Sequence, residues 1–389
     1  MKAVVVIDGE HYAPVVRAAL ATLAHDVVGV YLAGGTEKLR GFEEYGVPLV
    51  DDFEGAEVVV DLSDEPVLGP AERFRLASRV LAAGIPYVGA DFRFDPPVFE
   101  PFALPSLAVV GTGKRVGKTA VTGHVARVLA RERDVVVVAM GRGGPPEPEV
   151  IDVPPTLESL LGLSRAGLHA ASDHLETAAL AGVVTIGCRR AGGGLAGAVT
   201  DSNVVEGARL AAERDPDVVV FDGSGAAIPP IAVDRRILVV GPGQDATAYL
   251  NAYRVLVSDL VLVLGDAPLE PIRALKDIPV LRFDLALRPL EPLRGRRVAV
   301  FTAGPAQTDH LDAEVVAASG NLANRAALRQ DLARVDADVY LVELKAAAID
   351  VVAEAARERG VEVVLAGNDV VCEELDAELS RLVPAGARA

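Results

Sequence analysis

Short runs of consecutive apolar residues, rich in valine and leucine, alternate along this chain with longer stretches whose apolar positions recur at helical spacing. Residues 3–7, 27–32, 58–62 and 86–88 read as strands. Helices are expected over 14–24, where Pro14 suits a first turn, and over 72–83, where Gly84 is a stop signal. The pattern breaks over 91–105, where Pro96, Pro97, Pro101 and Pro105 mark a linker. It resumes with strands at 107–110, 135–139, 183–186, 218–221, 237–240, 260–264 and 280–283. Helices over 120–132, 156–164, 172–181 and 204–214 separate them, with another ending near 258. A second break at 287–295 carries Pro289 and Pro292, and strands at 297–302, 339–342 and 361–365 follow, with a helix over 346–359. Runs that are apolar on both faces, alternating with helices, predict parallel sheets covered by helices.

Between the strand at 107–110 and the helix that follows lies Gly111-Thr112-Gly113-Lys114-Arg115-Val116-Gly117-Lys118-Thr119, leading into Ala120. Strand, glycine-rich turn and Gly-Lys-Thr at the start of a helix make a cradle for nucleotide phosphates. Amides of the turn and of the helix N-terminus face the phosphates, Lys118 adds charge, and Thr119 can hold Mg²⁺. The spelling is unusual: the standard spacing puts the first glycine at 112, which is Thr112, and Gly111 stands one residue early. The competing reading is a turn that only joins strand to helix. Asp222, ending the strand at 218–221, is the candidate acidic partner for the Mg²⁺ shell. The expected fold is therefore α/β and multidomain. A P-loop NTPase domain with a mostly parallel sheet spans 105–290. A Rossmann-like N-terminal α/β domain at 1–95 and a C-terminal α/β domain or sheet extension at 291–389 flank it. The first turn lacks G-x-G-x-x-G, so the N-terminal domain is not a dinucleotide site.

Charge changes the picture next. The net charge of −17 argues against a nucleic-acid or anionic-membrane surface. Yet Lys114, Arg115, Lys118, Arg142, Arg189 and Arg190 all follow expected strands, and in an open parallel sheet such loops share one edge. Arg142 stands in Gly141-Arg142-Gly143-Gly144, and Arg189 and Arg190 precede Gly192, Gly193 and Gly194. Arginine forks beside glycine amides suit phosphate oxygens. A nucleotide needs few of these cations, so the surplus implies a second anionic small molecule. Asp8, Glu10 and His11, at the end of the first strand, are either ligand contacts or a polar turn. Glu343, Lys345, Asn368 and Asp369 are caps or site residues alike. The two cysteines, Cys188 and Cys372, offer no disulfide framework, and Cys188 reads as packing. No apolar run suits a signal peptide or a bilayer span, so a cytoplasmic location is expected.

The Gly-Thr-x4-Gly-Lys-Thr loop resembles that of dethiobiotin synthetase and its relatives. Together with Asp8-Gly9-Glu10-His11-Tyr12, Gly141-Arg142-Gly143-Gly144-Pro145, Gly187-Cys188-Arg189-Arg190 with its glycines, and Gly223-Ser224-Gly225-Ala226, it resembles the cyclic 2,3-diphosphoglycerate synthetase family. That resemblance implies ATP-driven closure of two phosphates into an anhydride, with Mg²⁺, K⁺ as a further candidate ion, and a homodimer. It assigns Lys114, Lys118 and Thr119 to ATP, and Arg142, Arg189 and Arg190 to the substrate. Two rivals stand beside it: a dethiobiotin-synthetase-like ligase or other small-molecule phosphotransferase, and a MinD-like ATP-switched partner-binding protein.

Overall fold

Two sheets carry the molecule, which is known here from a computed structural model describing residues 1–35, 39–41, 44–165, 173–344 and 349–383. Lys345 and the expected helix starts at 172 and 346 lie outside the described residues. The N-terminal unit runs β1 (Lys2–Ile7), α1 (Ala13–Thr22), β2 (Asp26–Leu32), β3 (Val58–Asp61), α2 (Pro70–Ala82), β4 (Tyr87–Val88) and β5 (Arg93–Phe94). Its sheet has the order β2-β1-β3-β4-β5, parallel except for β4 and β5. Pro70 opens α2 with Glu72 in the first turn and Arg79 in the last, the arrangement that suits the helix dipole. Strand β5 falls inside the expected linker. It is held by ring packing of Phe92 against Tyr87 and Phe94, at 5.5 and 5.6 Å between centroids, which leaves no periodicity to read.

The second sheet begins with β6 (Ser106–Gly111), α3 (Lys118–Leu129), β7 (Val135–Gly141), β8 (Glu149–Ile151), α4 (Leu157–Arg165), α5 (Asp173–Ala181), β9 (Val184–Ala191) and β10 (Asp201–Ser202). It continues through α6 (Val204–Ala212), β11 (Val218–Asp222), β12 (Arg235–Val240), α7 (Asn251–Leu256), β13 (Leu260–Leu264), α8 (Glu270–Arg273) and β14 (Val280–Pro289). Beyond these come β15 (Arg297–Phe301), β16 (Glu314–Ser319), α9 (Arg325–Leu332), β17 (Val339–Glu343), α10 (Ile349–Arg359), β18 (Glu362–Val371) and α11 (Leu375–Leu382). All the strands from β6 to β18 join in one sheet of order β10-β9-β7-β11-β6-β12-β13-β14-β18-β17-β15-β16, with β8 on β9. Strands β6, β7, β11, β12 and β13 are buried along nearly their whole length, which explains their unbroken apolar runs.

Several strands outrun their sequence signal. Gly187 to Arg190 are strand rather than loop, because β9 continues to Ala191 against β7, β8 and β10. Strand β14 pairs in parallel with β13 through Phe283, then antiparallel with β18 from Asp284 to Pro289, so the expected break at 287 is half strand. Asn368 and Asp369 lie inside β18, not after it. Helix α7 is shorter than expected and begins only after Tyr249, which has a positive φ of 50°.

The phosphate-loop helix is sewn to this extension. His124 of α3 reaches Asp369 at 3.3 Å and Asp376 at 2.8 Å, Arg127 pairs with Asp369, and Arg131 meets Asp376 at 3.0 Å. Burial pushes the Asp369 carboxyl up, but the His124 hydrogen bond, the Arg127 charge and the Val370 amide more than reverse it, to about 2. A depressed carboxylate stabilises the fold above its unfolded pKa and loses that contribution as pH falls through the folded value. Asp369→Asn is therefore expected to cost about 1–2 kcal/mol at pH 7. Urea titrations of both chains should show this gap closing as pH falls through about 4 toward 2, and a gap independent of pH would contradict it.

Candidate active site

Because β6, β7, β11 and β12 are parallel neighbours, their carboxyl ends open on one edge. Gly117, at φ 94°, turns the chain into α3 as its N-cap. Lys118 is buried and folds back so that its Nζ donates to the Gly113 carbonyl at 2.9 Å. Thr119 is buried beside it, while Lys114 and Arg115 stand exposed on the loop crest. The Thr112 amide donates to the Val239 carbonyl at 3.1 Å, so β12 carries the start of the loop. Asp222 is 2% exposed and lies in register with Val109 of β6. A threonine hydroxyl and a carboxylate are oxygens of the kind Mg²⁺ takes. The loop amides, a buried lysine and these oxygens fit a magnesium nucleotide by their chemistry.

The arginines divide. Arg190 is buried, donates to the Gly192 carbonyl, and donates to the Ser224 carbonyl at 2.8 Å. Arg142 is exposed, and a Cβ on Gly225 would come within 2.8 Å of its Nη2 and 3.4 Å of Arg190 Nη2. Both guanidiniums thus crowd the turn after Asp222, where Gly225 at φ 61° leaves room that a side chain would take. Arg189 is not with them. Successive residues of a strand face opposite sides, and Arg189 is exposed where its neighbour is buried. Gly192, Gly193 and Gly194 form the exposed β9–β10 hairpin, closed by the Gly194 amide on the Ala198 carbonyl at 2.8 Å. Burial, with Glu206 nearby, pushes the Cys188 thiol up to about 12, which leaves it protonated and suited to packing.

In the N-terminal unit, Asp8 is fully buried and its two oxygens organise a turn. They accept the Glu10 amide at 2.9 Å and the Asp64 amide at 2.7 Å, and His11 Nδ1 lies 2.8 Å from Oδ1. Burial raises the Asp8 carboxyl, and the Asp64 amide, the His11 ring and the Glu10 amide then hold it below the usual range. Asp8 caps and orients; the other ring nitrogen of the partly exposed His11, Nε2, lies 3.3 Å from Asp64 Oδ2, and Glu10 is partly buried beside it. Glu343 is likewise engaged, by the Ala303 amide at 2.8 Å and Asn368 at 2.7 Å.

Some residues at this edge carried no sequence signal. Gln244 accepts the Thr112 hydroxyl, and its Nε2 lies 2.9 Å from where a Cβ on Gly113 would stand. The threonine in place of the usual first glycine is thus a tether to the loop after β12. Asn203 accepts the Arg189 amide at 2.6 Å and donates to the Pro145 and Pro146 carbonyls, each at 3.2 Å, so it pins the Arg142 loop to β9. Amides such as these look like any loop asparagine or glutamine until the strands are in place.

Strand, amide-lined turn, buried Lys118 and Thr119, and a buried carboxylate on the neighbouring parallel strand define a P-loop nucleotide-binding protein. The model described as "Cyclic 2,3-diphosphoglycerate synthetase, P-loop domain" matches residues 106–280. The corresponding C-terminal domain matches 289–369, and the N-terminal domain matches 2–55 and 51–95. A protein of Rubrobacter xylanophilus named cyclic 2,3-diphosphoglycerate synthetase is 48% identical, with 100% of this chain and 98% of that protein covered. Proteins of the same name from Thermococcus kodakarensis and Methanothermobacter thermautotrophicus are 42% and 39% identical, covering 95% and 97% of this chain and 94% and 95% of theirs. The chain belongs to the cyclic 2,3-diphosphoglycerate synthetase family, a family of enzymes. Among the described residues no helix is long and apolar enough to cross a membrane.

The Thr112 tether makes a prediction. Thr112→Val leaves the Gln244 carbonyl without its donor, a loss of about 1–3 kcal/mol, and is expected to weaken ADP binding about tenfold or more. Thr112→Ser keeps the hydroxyl and should bind as the parent does. Calorimetric titration with ADP decides; equal affinity for the valine variant contradicts the tether.

Proposed function

We propose that this chain closes the two phosphates of 2,3-diphosphoglycerate into an intramolecular anhydride while ATP is converted to ADP and phosphate. The observation that carries this reading is the crowding of Arg142 and Arg190 around Gly225, on the turn that follows Asp222 beside the phosphate loop. A nucleotide site with two further guanidiniums at its edge suits a substrate that brings its own phosphates. The family membership supports the same substrate class.

In this mechanism a substrate phosphate oxygen attacks the γ-phosphorus, breaking its bond to the ADP oxygen. An oxygen of the second substrate phosphate then attacks the first substrate phosphorus in line. The anhydride bond forms, and inorganic phosphate leaves with one oxygen that belonged to the substrate. No side chain becomes covalently attached. Lys118 and the loop amides hold the triphosphate, with Lys114 and Arg115 at the crest. Arg142 and Arg190 hold the two substrate phosphates together, which raises their effective concentration and offsets their mutual repulsion. Arg189, on the other side of β9, joins them only if the substrate reaches over the strand end; the Gly192 to Gly194 amides are the nearer donors. Thr119 and Asp222 would hold Mg²⁺, which when bound neutralises charge on the transferring phosphoryl group. The N-terminal unit covers the substrate, with His11, oriented by Asp8, or Glu10 as proton acceptor.

Incubation with ATP, Mg²⁺ and 2,3-diphosphoglycerate should yield two coupled anhydride resonances in the phosphorus NMR spectrum, with one phosphate released for each product. Release of ADP with no anhydride signal sinks the proposal.

A further inference from the structure

One cation near this edge has no place in the mechanism above. Arg254 of α7 is 1% exposed, yet among the described residues it forms no ion pair. Its partners are carbonyl oxygens and one side-chain amide. Nε and Nη2 donate to the Ala226 carbonyl at 3.0 and 2.6 Å. Nη1 donates to the Leu195 carbonyl at 2.9 Å, with Leu250 at 3.2 Å and Asn251 Oδ1 at 3.3 Å. Leu195 stands in the glycine hairpin that follows Arg190, and Ala226 follows Gly225. The two loops also touch each other, through the Ile228 amide on the Gly197 carbonyl at 2.8 Å.

Burying a guanidinium without a carboxylate is costly, and a fold that needed only to cap these carbonyls has neutral donors available. Burial pushes the Arg254 pKa down to about 10, so the group remains charged at neutral pH. Carbonyl acceptors hold the fork in one orientation while leaving its charge uncancelled. The same helix, through Tyr249 just before it, meets Phe74 of the N-terminal unit, with ring centroids 5.6 Å apart.

We propose that Arg254 is a positioning residue for the bisphosphate half of the site: it ties the glycine hairpin and the turn after Asp222 to α7 and sets a fixed positive charge beside both. The inference rests on assigning those loops to the bisphosphate. Arg254 does not touch substrate; it holds the loops that do, and its field adds to that of Arg142 and Arg190. A chain with a net charge of −17 needs such local charge to draw in a polyanion.

The test compares Arg254→Lys, which keeps charge but loses the fork, with Arg254→Gln, which loses both. In steady-state assays with 2,3-diphosphoglycerate, the substrate KM is expected to rise at least tenfold in the lysine variant and further in the glutamine variant. KM for ATP should stay within twofold in both. A purely structural arginine would lower folded enzyme, and with it kcat, while leaving both KM values alone; that result overturns the proposal, as does an equal rise in both KM values. If the variants do not fold, hydrogen exchange of the parent chain decides. The Gly197, Ala227 and Ile228 amides should open with the same free energy as α7 if Arg254 binds these parts into one unit, and independent, faster exchange overturns it. A parent chain that makes no anhydride defeats the assignment of the substrate, whereas an active parent with unaltered variants defeats only the role of Arg254.

Discussion

Mutual repulsion of phosphates is the constraint on which this architecture turns. In the proposed reaction a triphosphate and a bisphosphate, which repel one another in water, must meet on a chain that is itself strongly acidic. Only cations fixed in advance at one edge can overcome both fields, since a mobile surface lysine contributes little against solvent. The parallel order of β9, β7, β11, β6 and β12 supplies that edge. On that proposal the second ligand needs no dedicated frame, because the strands that present the phosphate loop also present Arg142, Arg190 and Asp222.

How the cations are held follows from the same constraint. Lys118 is fixed by the Gly113 carbonyl, Arg190 by the Gly192 and Ser224 carbonyls, and Arg254 by those of Leu195 and Ala226. A neutral acceptor fixes direction, and Arg254, which forms no ion pair among the described residues, is held that way with its charge kept. At the other end of α3 the logic is reversed. There His124, Arg127 and Arg131 meet Asp369 and Asp376, and their pairing fastens the phosphate-loop helix to the extension of the sheet. One helix therefore carries both kinds of contact: carbonyl-fixed charge at its N-terminus and carboxylate-paired charge along its side.

Much of this was legible in the sequence, for identifiable reasons. Strands β6 and β11 are buried throughout, and β1 and β13 all but one residue, so their apolar runs announce them, and Gly117-Lys118-Thr119 falls where a strand gives way to a helix. What escaped depends on pairing between distant segments. Strand β9 reads as ending at Ile186 because Gly187 looks like a turn, yet β8 and β10 extend it through Arg190. That extension sends Arg189 and Arg190 to opposite faces, which no count of adjacent arginines reveals. The tails of β14 and of its partner β18 likewise exist only through their antiparallel ladder. Gln244, Asn203 and Arg254 carry no motif, and only tertiary contacts give them a role.

The most direct test of the central claim follows one oxygen atom. With 2,3-diphosphoglycerate carrying ¹⁸O on its phosphates and unlabelled ATP, transfer to the substrate followed by displacement predicts one labelled oxygen in each inorganic phosphate released. Phosphorus NMR resolves that isotope shift. Phosphate released without the label would mean that the γ-phosphoryl group had passed to water and never to the substrate, and that the two-phosphate site does not work in the way described.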